Sequence, residues 1–183
     1  KKKDNLLIPD DERSKKSTFT QAKPMFAKTA GKPFDDPDWL FEIKLDGYRI
    51  LAHRKGNNTD LISRNGINYN DSYKTIYKAL ASIDHDFILD GEVAVVDSKG
   101  RTDFSRLQHL TADDFPNLRY FVFDLLWING FDLTQYPLIR RKEILKKLIP
   151  GNAGSIVYLD HIERRGTDFY EAAGLQNLEG IMA

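Results

Sequence analysis

Apolar and polar residues alternate along several short stretches of the chain, and an alternation of period two is typical of a half-buried β-strand. At 39–43 this pattern places Phe41 and Ile43 on one face and Glu42 on the other, with Lys44 at the polar end. An Asp-Gly dipeptide follows one residue later, and it predicts a tight turn because glycine accepts a positive φ. The pattern therefore predicts a lysine that is held at the end of a strand and open to approach, as a covalent nucleophile must be.

The same reasoning predicts the other elements of the chain. Further strands are expected at 48–54, 60–63, 86–96, 118–128, 155–162 and 178–183. Helices are expected at 71–83 with Asn70 or Asp71 as N-cap, at 103–110 with Thr102 or Asp103 as cap, at 137–148 with Leu138, Leu145 and Leu148 inward, and from 167 to about 175 with Thr167 as cap. Hairpins and short helices without a regular βαβ alternation indicate an α+β fold with largely antiparallel sheets.

The composition agrees with a soluble globular protein of one domain, since 41% of the 183 residues are hydrophobic and 30% are charged. Residues 1–20 are charged and lack periodicity, so we predict a flexible tail or linker there and a domain over 21–183. No secretory signal and no apolar run near the ~20 residues of a membrane span is present. We therefore expect a cytoplasmic protein that does not bind membranes.

Several classes of chemistry are excluded by what the sequence lacks. It contains no cysteine, so neither a disulfide framework nor a thiolate site is possible. It has no Gly-x-x-x-x-Gly-Lys-Ser/Thr loop, no Gly-x-Gly-x-x-Gly motif and no Gly-x-Ser-x-Gly motif, and its four histidines lack metal-ligand spacing. The formal net charge is zero, so contact with nucleic acid must depend on local clusters of arginine and lysine.

Four further motifs matter in combination with the Lys-x-Asp-Gly motif at Lys44. They are Ser-Arg-Asn-Gly at 63–66, Asp-Gly-Glu at 90–92, Tyr-Phe-Val-Phe-Asp at 120–124 and Glu-Gly-Ile-Met-Ala at 179–183. Each is common by itself, and a bare Lys-x-Asp-Gly is more often a surface hairpin. In this order they resemble the motif series of the covalent nucleotidyltransferases, which comprise ATP-dependent DNA ligases, RNA ligases and mRNA capping enzymes. The segment 34–49 most resembles the ligase module of the bacterial ligase D proteins of non-homologous end joining.

The resemblance implies a fold and a reaction. The fold would be two largely antiparallel β-sheets flanked by helices, with the nucleotide in the groove between them. Lys44 would attack the α-phosphate of ATP to form lysyl-AMP, and the AMP would pass to the 5′-phosphate of a DNA nick, which the 3′-hydroxyl then seals. Free lysine has a pKa of about 10.4, so the site must favour the neutral amine.

The resemblance also assigns roles to individual residues of the nucleotide site. Glu42 matches the position beside the adenine edge, and Phe123 matches the position that stacks on the base. Arg49 and Arg64 match positions that contact the ribose, the phosphates and the 5′-phosphate of the nicked DNA strand, for which the guanidinium fork is suited. These residues, together with Lys44 and Glu92, are the predicted nucleotide contacts.

Pyrophosphate is the leaving group, so a divalent cation, Mg²⁺ or Mn²⁺, is expected beside the phosphates. By the resemblance Glu92 lies near the ribose hydroxyls and the metal, and Glu179 lies at the metal. The family pattern continues past Glu179 into a strand carrying one or two lysines and then an oligonucleotide-binding-fold domain. Neither is present in this sequence, so self-adenylation and sealing by this chain alone stay open.

The resemblance further implies partners and leaves alternatives. Nicked duplex DNA is the expected substrate, and a Ku-type end-binding protein and fused polymerase or nuclease modules are conjectures from ligase D, as is association with a bacterial nucleoid. An RNA ligase, a capping-type enzyme that uses GTP, and a non-catalytic domain that binds DNA or a partner remain alternatives. Intact Lys44, Glu92 and Glu179 argue against the non-catalytic domain.

Overall fold

The computed structural model of the chain describes residue 8 and residues 24–149 and 154–183. Of the predicted tail at 1–20, only Ile8 is described, and it is buried in the main hydrophobic core. The other residues of that prediction lie outside the described part. In the described ranges no helix is long and apolar enough to span a bilayer.

The described residues form nine strands, four α-helices and one 3₁₀ turn at Ala112–Asn117. The strands are β1 (Asp36–Ile43), β2 (Tyr48–Lys55), β3 (Asn58–Ser63), β4 (Phe87–Val95), β5 (Leu118–Ile128), β6 (Phe131–Asp132), β7 (Ile156–Tyr158), β8 (Ile162–Arg164) and β9 (Ile181–Met182). The helices are α1 (Lys74–Ala81), α2 (Phe104–Gln108), α3 (Leu138–Leu148) and α4 (Gly166–Leu175).

The strands form two sheets. The larger has the order β3-β2-β4-β5-β6, with β7 also paired to β5, and the smaller has the order β8-β1-β9. Every pairing is antiparallel except that of β5 with β7. The predicted α+β fold with two largely antiparallel sheets is therefore confirmed.

The hydrophobic core lies between the larger sheet and the helices α1 and α3. Ile76 and Leu80 of α1 are four residues apart on one face and are both fully buried, as the helical period requires. Ile144 and Leu145 of α3 are also buried in this core. Burying side chains of this size contributes about 1.5–3 kcal/mol each, so the two helices are fixed against the sheet mainly by these contacts.

Two predicted helix caps are wrong. Neither Asn70 nor Asp71 caps α1, whose N-cap position is Tyr73. The side chain of Asn70 accepts the N–H of Leu61 at 2.8 Å and donates to the Thr59 carbonyl at 3.0 Å, which fixes it to β3. Thr167 lies inside α4, where its own N–H donates to Asp35 Oδ1 at 2.8 Å. The prediction of Asp103 as a cap of α2 is confirmed, since its side chain accepts the N–H of Arg106.

The strand predicted at 155–162 is two strands instead. β7 belongs to the larger sheet and β8 to the smaller, so the chain passes from one sheet to the other at 159–161. The last strand is also shorter than predicted, since β9 contains only Ile181 and Met182. The crossing matters for the site, because the Leu159 carbonyl within it accepts a hydrogen bond from Lys142, which pairs with Glu42 of β1.

Candidate active site

Lys44 leaves β1 at the point where the small sheet ends. Ile43 pairs with Ile181 of β9, and the N–H of Lys44 donates to the Gly180 carbonyl at 2.9 Å. The Nζ of Lys44 forms an ion pair with Glu179, and both side chains are nearly half exposed. The backbone of the lysine is therefore anchored, while its amine stays accessible.

An open cleft of about 680 Å³ lies over this lysine. Its wall is built from the end of β1, the loop at 99–102 and the segment 176–179, and it includes both Lys44 and Glu179. The volume falls within the range typical of pockets that bind small molecules. Glu42, Arg49, Arg64, Glu92 and Phe123 do not line the wall of this cleft, so the predicted nucleotide contacts extend beyond it.

Gly47 is needed at the turn for a different reason than the sequence indicated. Its φ is not positive, contrary to the prediction from the Asp-Gly dipeptide. A Cβ atom at this position would lie 2.2 Å from the Val93 carbonyl oxygen, a distance that no carbon atom tolerates. Glycine therefore allows the chain after Lys44 to approach the backbone of β4 closely.

Arg49 connects three strands of the larger sheet. It lies opposite Glu92 in the pairing of β2 with β4, and its guanidinium donates to both carboxylate oxygens of Asp90, at 2.9 Å and 2.7 Å. The same guanidinium lies 5.3 Å from the ring centroid of Phe123 on β5, within cation–π range. The structure thus brings Arg49, Glu92 and Phe123 together, and it adds Asp90, to which the sequence analysis gave no role.

Glu92 lies in an environment that favours its neutral form. The pKa of this carboxyl is raised to about 7, mainly by burial and in addition by the negative charges of Asp90 and Asp46, although the positive charges of Arg49 and Lys44 act in the opposite direction. A carboxyl with such a pKa takes up a proton near neutral pH and would have to release it to bind a cation.

Arg64 contacts the segment that precedes β1, which also contacts Arg49. Its guanidinium lies 4.0 Å from the ring centroid of Phe26, while the neighbouring Met25 carbonyl accepts a hydrogen bond from Arg49. Met25 and Phe26 are both well exposed, at 71% and 62%. The two arginines predicted to contact phosphates are therefore joined through one exposed dipeptide.

Glu42 has a partner that the sequence analysis missed. Its carboxylate pairs with the Nζ of Lys142, whose side chain is fully buried on α3. Burial raises the pKa of Glu42 above its ordinary value, and the charge and hydrogen bond of Lys142 oppose this rise without cancelling it. A signal existed in the sequence, because Lys142 lies between Leu138 and Leu145 on the inward stripe of the helix, where a charge is unusual.

A second buried ion pair lies beside the first. Arg141 donates through Nε and Nη2 to the two oxygens of Asp124, at 2.7 Å and 2.8 Å, and both side chains are about 8% exposed. The pair connects α3 to β5. Its bidentate geometry and burial give it a structural role, in which it fixes the helix that carries Lys142.

A divalent cation at this site would have to be held by few protein ligands. In the part of the chain that the structure describes, no group of three or more His, Asp or Glu side chains is arranged to hold a metal. Glu92 and Glu179 are compatible with Mg²⁺ nonetheless, because Mg²⁺ at nucleotide sites is usually bound by one or two carboxylates, waters and the phosphates of the substrate. The predicted acidic pair therefore fits such an ion, provided that a nucleotide is bound.

Comparison with known proteins identifies a family and a related protein. The sequence profile of the family described as "ATP dependent DNA ligase domain" matches residues 21–183. The multifunctional non-homologous end joining protein LigD of Pseudomonas aeruginosa is 35% identical over 116 residues, which are 62% of this chain and 14% of that protein. The chain thus spans a small part of this relative.

Two solved structures are similar over most of the chain. The ligase domain of M. tuberculosis LigD is 30% identical with a TM-score of 0.72, over 84% of this chain and 51% of that one. A mycobacterial DNA ligase D complexed with ATP and MES is 30% identical with a TM-score of 0.76, over 87% of this chain and 52% of that one. The predicted nucleotidyltransferase fold is confirmed, and the chain spans about half the length of these structures.

Proposed function

This chain belongs to the ATP-dependent DNA ligase domain family, and on that premise we propose that it is the adenylation module of a DNA ligase in which Lys44 accepts AMP from ATP. The observation that carries the proposal is the position of Lys44, which is anchored through its backbone to Gly180 and presents its amine to an open cleft beside Glu179. Lys44 is also the lysine that the Lys-x-Asp-Gly motif selects.

The first chemical step follows from this geometry. The Lys44 ammonium, which is paired with Glu179 and nearly half exposed, first gives one proton to solvent. The lone pair of the resulting amine forms a bond to the α-phosphorus of ATP, and the bond from that phosphorus to the pyrophosphate oxygen breaks, so that pyrophosphate leaves. The nitrogen then gives a second proton to solvent, which leaves the phosphoramidate of lysyl-AMP.

A Mg²⁺ or Mn²⁺ ion bound with the nucleotide would neutralise charge on the phosphates and the leaving group. Glu179 and Glu92 are the residues that we propose to hold it. Binding such an ion would require Glu179 to give up its ion pair with Lys44 and Glu92 to lose the proton that its raised pKa favours.

The base and the phosphates are proposed to bind between the two sheets. Phe123 supplies the ring on which adenine stacks, and Glu42 accepts a hydrogen bond from its exocyclic amine. Arg49 and Arg64 contact the ribose and phosphates and later the 5′-phosphate of the nick. The support for Arg49 is its fixed orientation, since the Asp90 fork and the Phe123 ring hold it on two sides.

Nicked duplex DNA is the proposed substrate, which would place the protein at the nucleoid of a bacterial cytoplasm. Several similar proteins are described as multifunctional non-homologous end joining proteins. A Ku-type end-binding partner and fused polymerase or nuclease modules are proposals that rest on this similarity. An RNA substrate is the main alternative, and sealing assays on matched DNA and RNA nicks distinguish the two.

The adenylation step is tested with α-labelled ATP and Mg²⁺ on this chain and on any longer form that its gene encodes. We expect label to remain on the protein after denaturing electrophoresis, to be competed by unlabelled ATP and not by GTP, and to be lost in Lys44→Ala. Lys99→Ala is the matched control, because Lys99 lines the same cleft without a proposed role. Absence of label from every folded form would contradict the proposal, and label that GTP removes would favour a capping-type enzyme.

A further inference from the structure

Lys142 is placed where lysine rarely occurs. Its side chain has no exposed surface, and lysine is among the residues least often fully buried, because removing an ammonium group from water is costly unless it is paired. A leucine or methionine would fill the same position on the inward face of α3 without that cost. The charge of Lys142 therefore calls for an explanation other than packing.

The ammonium group of Lys142 has a polar partner for each of its three N–H donors. It pairs with Oε1 of Glu42, and it donates to the carbonyl oxygens of Leu159 at 2.9 Å and Phe123 at 3.2 Å. It also lies 4.9 Å from the ring centroid of Tyr158. With every donor used, Nζ cannot move without losing a partner, so it holds one oxygen of Glu42 at a fixed place.

We propose that Lys142 is a positioning residue that sets the preference for adenine over guanine by keeping Glu42 ionised and oriented at the base edge. The inference rests on the proposed function and on the role of Glu42 within it. An ionised carboxylate is only an acceptor, so it accepts the exocyclic amine of adenine. Guanine presents a carbonyl oxygen at the equivalent place, which the carboxylate repels.

The groups around Glu42 explain why the positive charge of Lys142 is needed to keep this carboxyl ionised. Burial and the negative charge of Asp124 on β5 both raise the pKa of Glu42, and Lys142 is the group that lowers it. Tyr158 on β7 does not supply a charge, because burial raises its pKa to about 12. His161 faces Lys142, and burial followed by that positive charge lowers the pKa of His161, so the histidine is neutral at pH 7.

Loss of the cation therefore changes the chemistry of the base edge. Without Lys142 the buried carboxyl of Glu42 takes up a proton, and a protonated carboxyl is a donor as well as an acceptor. Such a group can donate to the carbonyl oxygen of guanine. The discrimination against GTP then falls, and it recovers at higher pH as Glu42 ionises again.

The test measures equilibrium binding of ATP and of GTP, with Mg²⁺, to the full chain carrying Lys44→Ala, which prevents covalent transfer. In this background we expect Lys142→Met to lower the ratio of the two affinities by about tenfold or more at pH 7, as is typical when a polar reader of the base is altered. Lys146→Met is the matched control, since Lys146 contacts the same Tyr158 ring from the next turn of α3. It should leave the ratio unchanged.

A second comparison separates positioning from a general loss of structure. In a Glu42→Gln background there is no carboxylate to ionise, so adding Lys142→Met should not change the nucleotide ratio further. Thermal unfolding of each variant monitors the fold, and Lys142→Gln replaces Lys142→Met if the latter is unfolded, because it keeps a hydrogen-bond donor without the charge. The ratio in the Lys142 variant should rise with pH, while that of the parent protein stays flat.

The outcomes distinguish this inference from the proposed function. Lys44-dependent labelling with an unchanged nucleotide ratio in a folded Lys142 variant overturns the role of Lys142 and leaves the adenylation proposal standing. A change of ratio that persists in the Glu42→Gln background overturns positioning through Glu42. Absence of ATP binding by the parent protein overturns both proposals.

Discussion

At the scale of single residues, Glu92 and Lys44 lie close enough to interact electrostatically but differ in their exposure to solvent. The carboxyl is mostly buried and has a pKa of about 7, whereas Lys44 is nearly half exposed and paired with Glu179. A bound cation would give the Glu92 carboxylate a positive partner and would compete with Lys44 for Glu179.

The raised pKa of Glu92 predicts how stability depends on pH. A carboxyl whose folded pKa lies above its ordinary value of 4.5 binds more protons in the folded state than in the unfolded state. Its contribution is therefore lost as the pH rises from about 4.5 to about 7, and at pH 8 the buried charge costs up to about 3 kcal/mol. We expect Glu92→Gln to stabilise the metal-free protein at pH 8 and to have little effect at pH 4.5.

The measurement is urea unfolding of both proteins in EDTA at the two pH values. Glu163→Gln is a suitable control, because Glu163 on β8 is exposed and its charge should not change the difference between the two conditions. An equal effect of Glu92→Gln at both pH values would contradict the burial of an ionisable Glu92.

At the scale of elements, β1 and its two partners form the support of the candidate nucleophile. β1 is the central strand of the small sheet, and the ring of Phe41 within it is fully buried against Phe34 at a centroid distance of 5.3 Å. The larger sheet supplies Arg49, Glu92 and Phe123 from three adjacent strands. The site is thus assembled where the end of one sheet meets the face of the other.

The pairing of β4 with β5 depends on a glycine in the Asp-Gly-Glu motif. A Cβ atom on Gly91 would lie 2.4 Å from the Phe121 carbonyl oxygen and 2.6 Å from the Tyr120 ring. We expect Gly91→Ala to lower the free energy of unfolding by about 1–3 kcal/mol and to disturb Glu92 beside it. Chemical denaturation measures the effect.

Gly174→Ala is the matched control, because Gly174 lies in α4 and a Cβ atom there would meet nothing within 4 Å. We expect it to stabilise the protein by up to about 1 kcal/mol, through helix propensity. Equal changes in the free energy of unfolding for the two substitutions would contradict the close approach of β4 and β5 at Gly91.

The sequence predicted these elements where local patterns decide them. Alternation located the strand that precedes Lys44, although the positive φ expected at Gly47 was wrong. Asp103 was one of the two cap candidates for α2, because capping involves residues close in the chain. The caps at Asn70 and Thr167 were wrong because more distant groups, on β3 and at Asp35, use the same atoms. The strand at 155–162 was predicted undivided because the change of sheet depends on tertiary packing.

At the scale of the whole molecule, the site residues come from distant parts of the chain. The Lys142 contact with Glu42 joins residues 100 apart, and no local periodicity reports such a pair. The fork of Arg49 on Asp90 likewise depends on the register of β2 against β4. The motif series supplied the individual residues by resemblance, whereas the structure supplies their buried partners.

The net charge of the chain and its length relative to similar proteins bear on how it could bind DNA. It carries no net charge, so DNA binding would depend on local groups such as Arg49 and Arg64, and on any further part of the protein. It spans about half of the solved ligase domains that it resembles. Complete nick sealing is therefore a proposal for the longest form of the protein, and nucleotide transfer to Lys44 is the step that we propose for this part.

The most direct test of the account is mass spectrometry of the intact chain, and of any longer form, after incubation with ATP and Mg²⁺, followed by peptide mapping. We predict a mass increase of one AMP, located on the peptide that contains Lys44 and released when pyrophosphate is added, because the transfer is reversible. AMP on a different residue, or no adduct on any folded form that binds ATP, would contradict the assignment of Lys44 as the nucleophile.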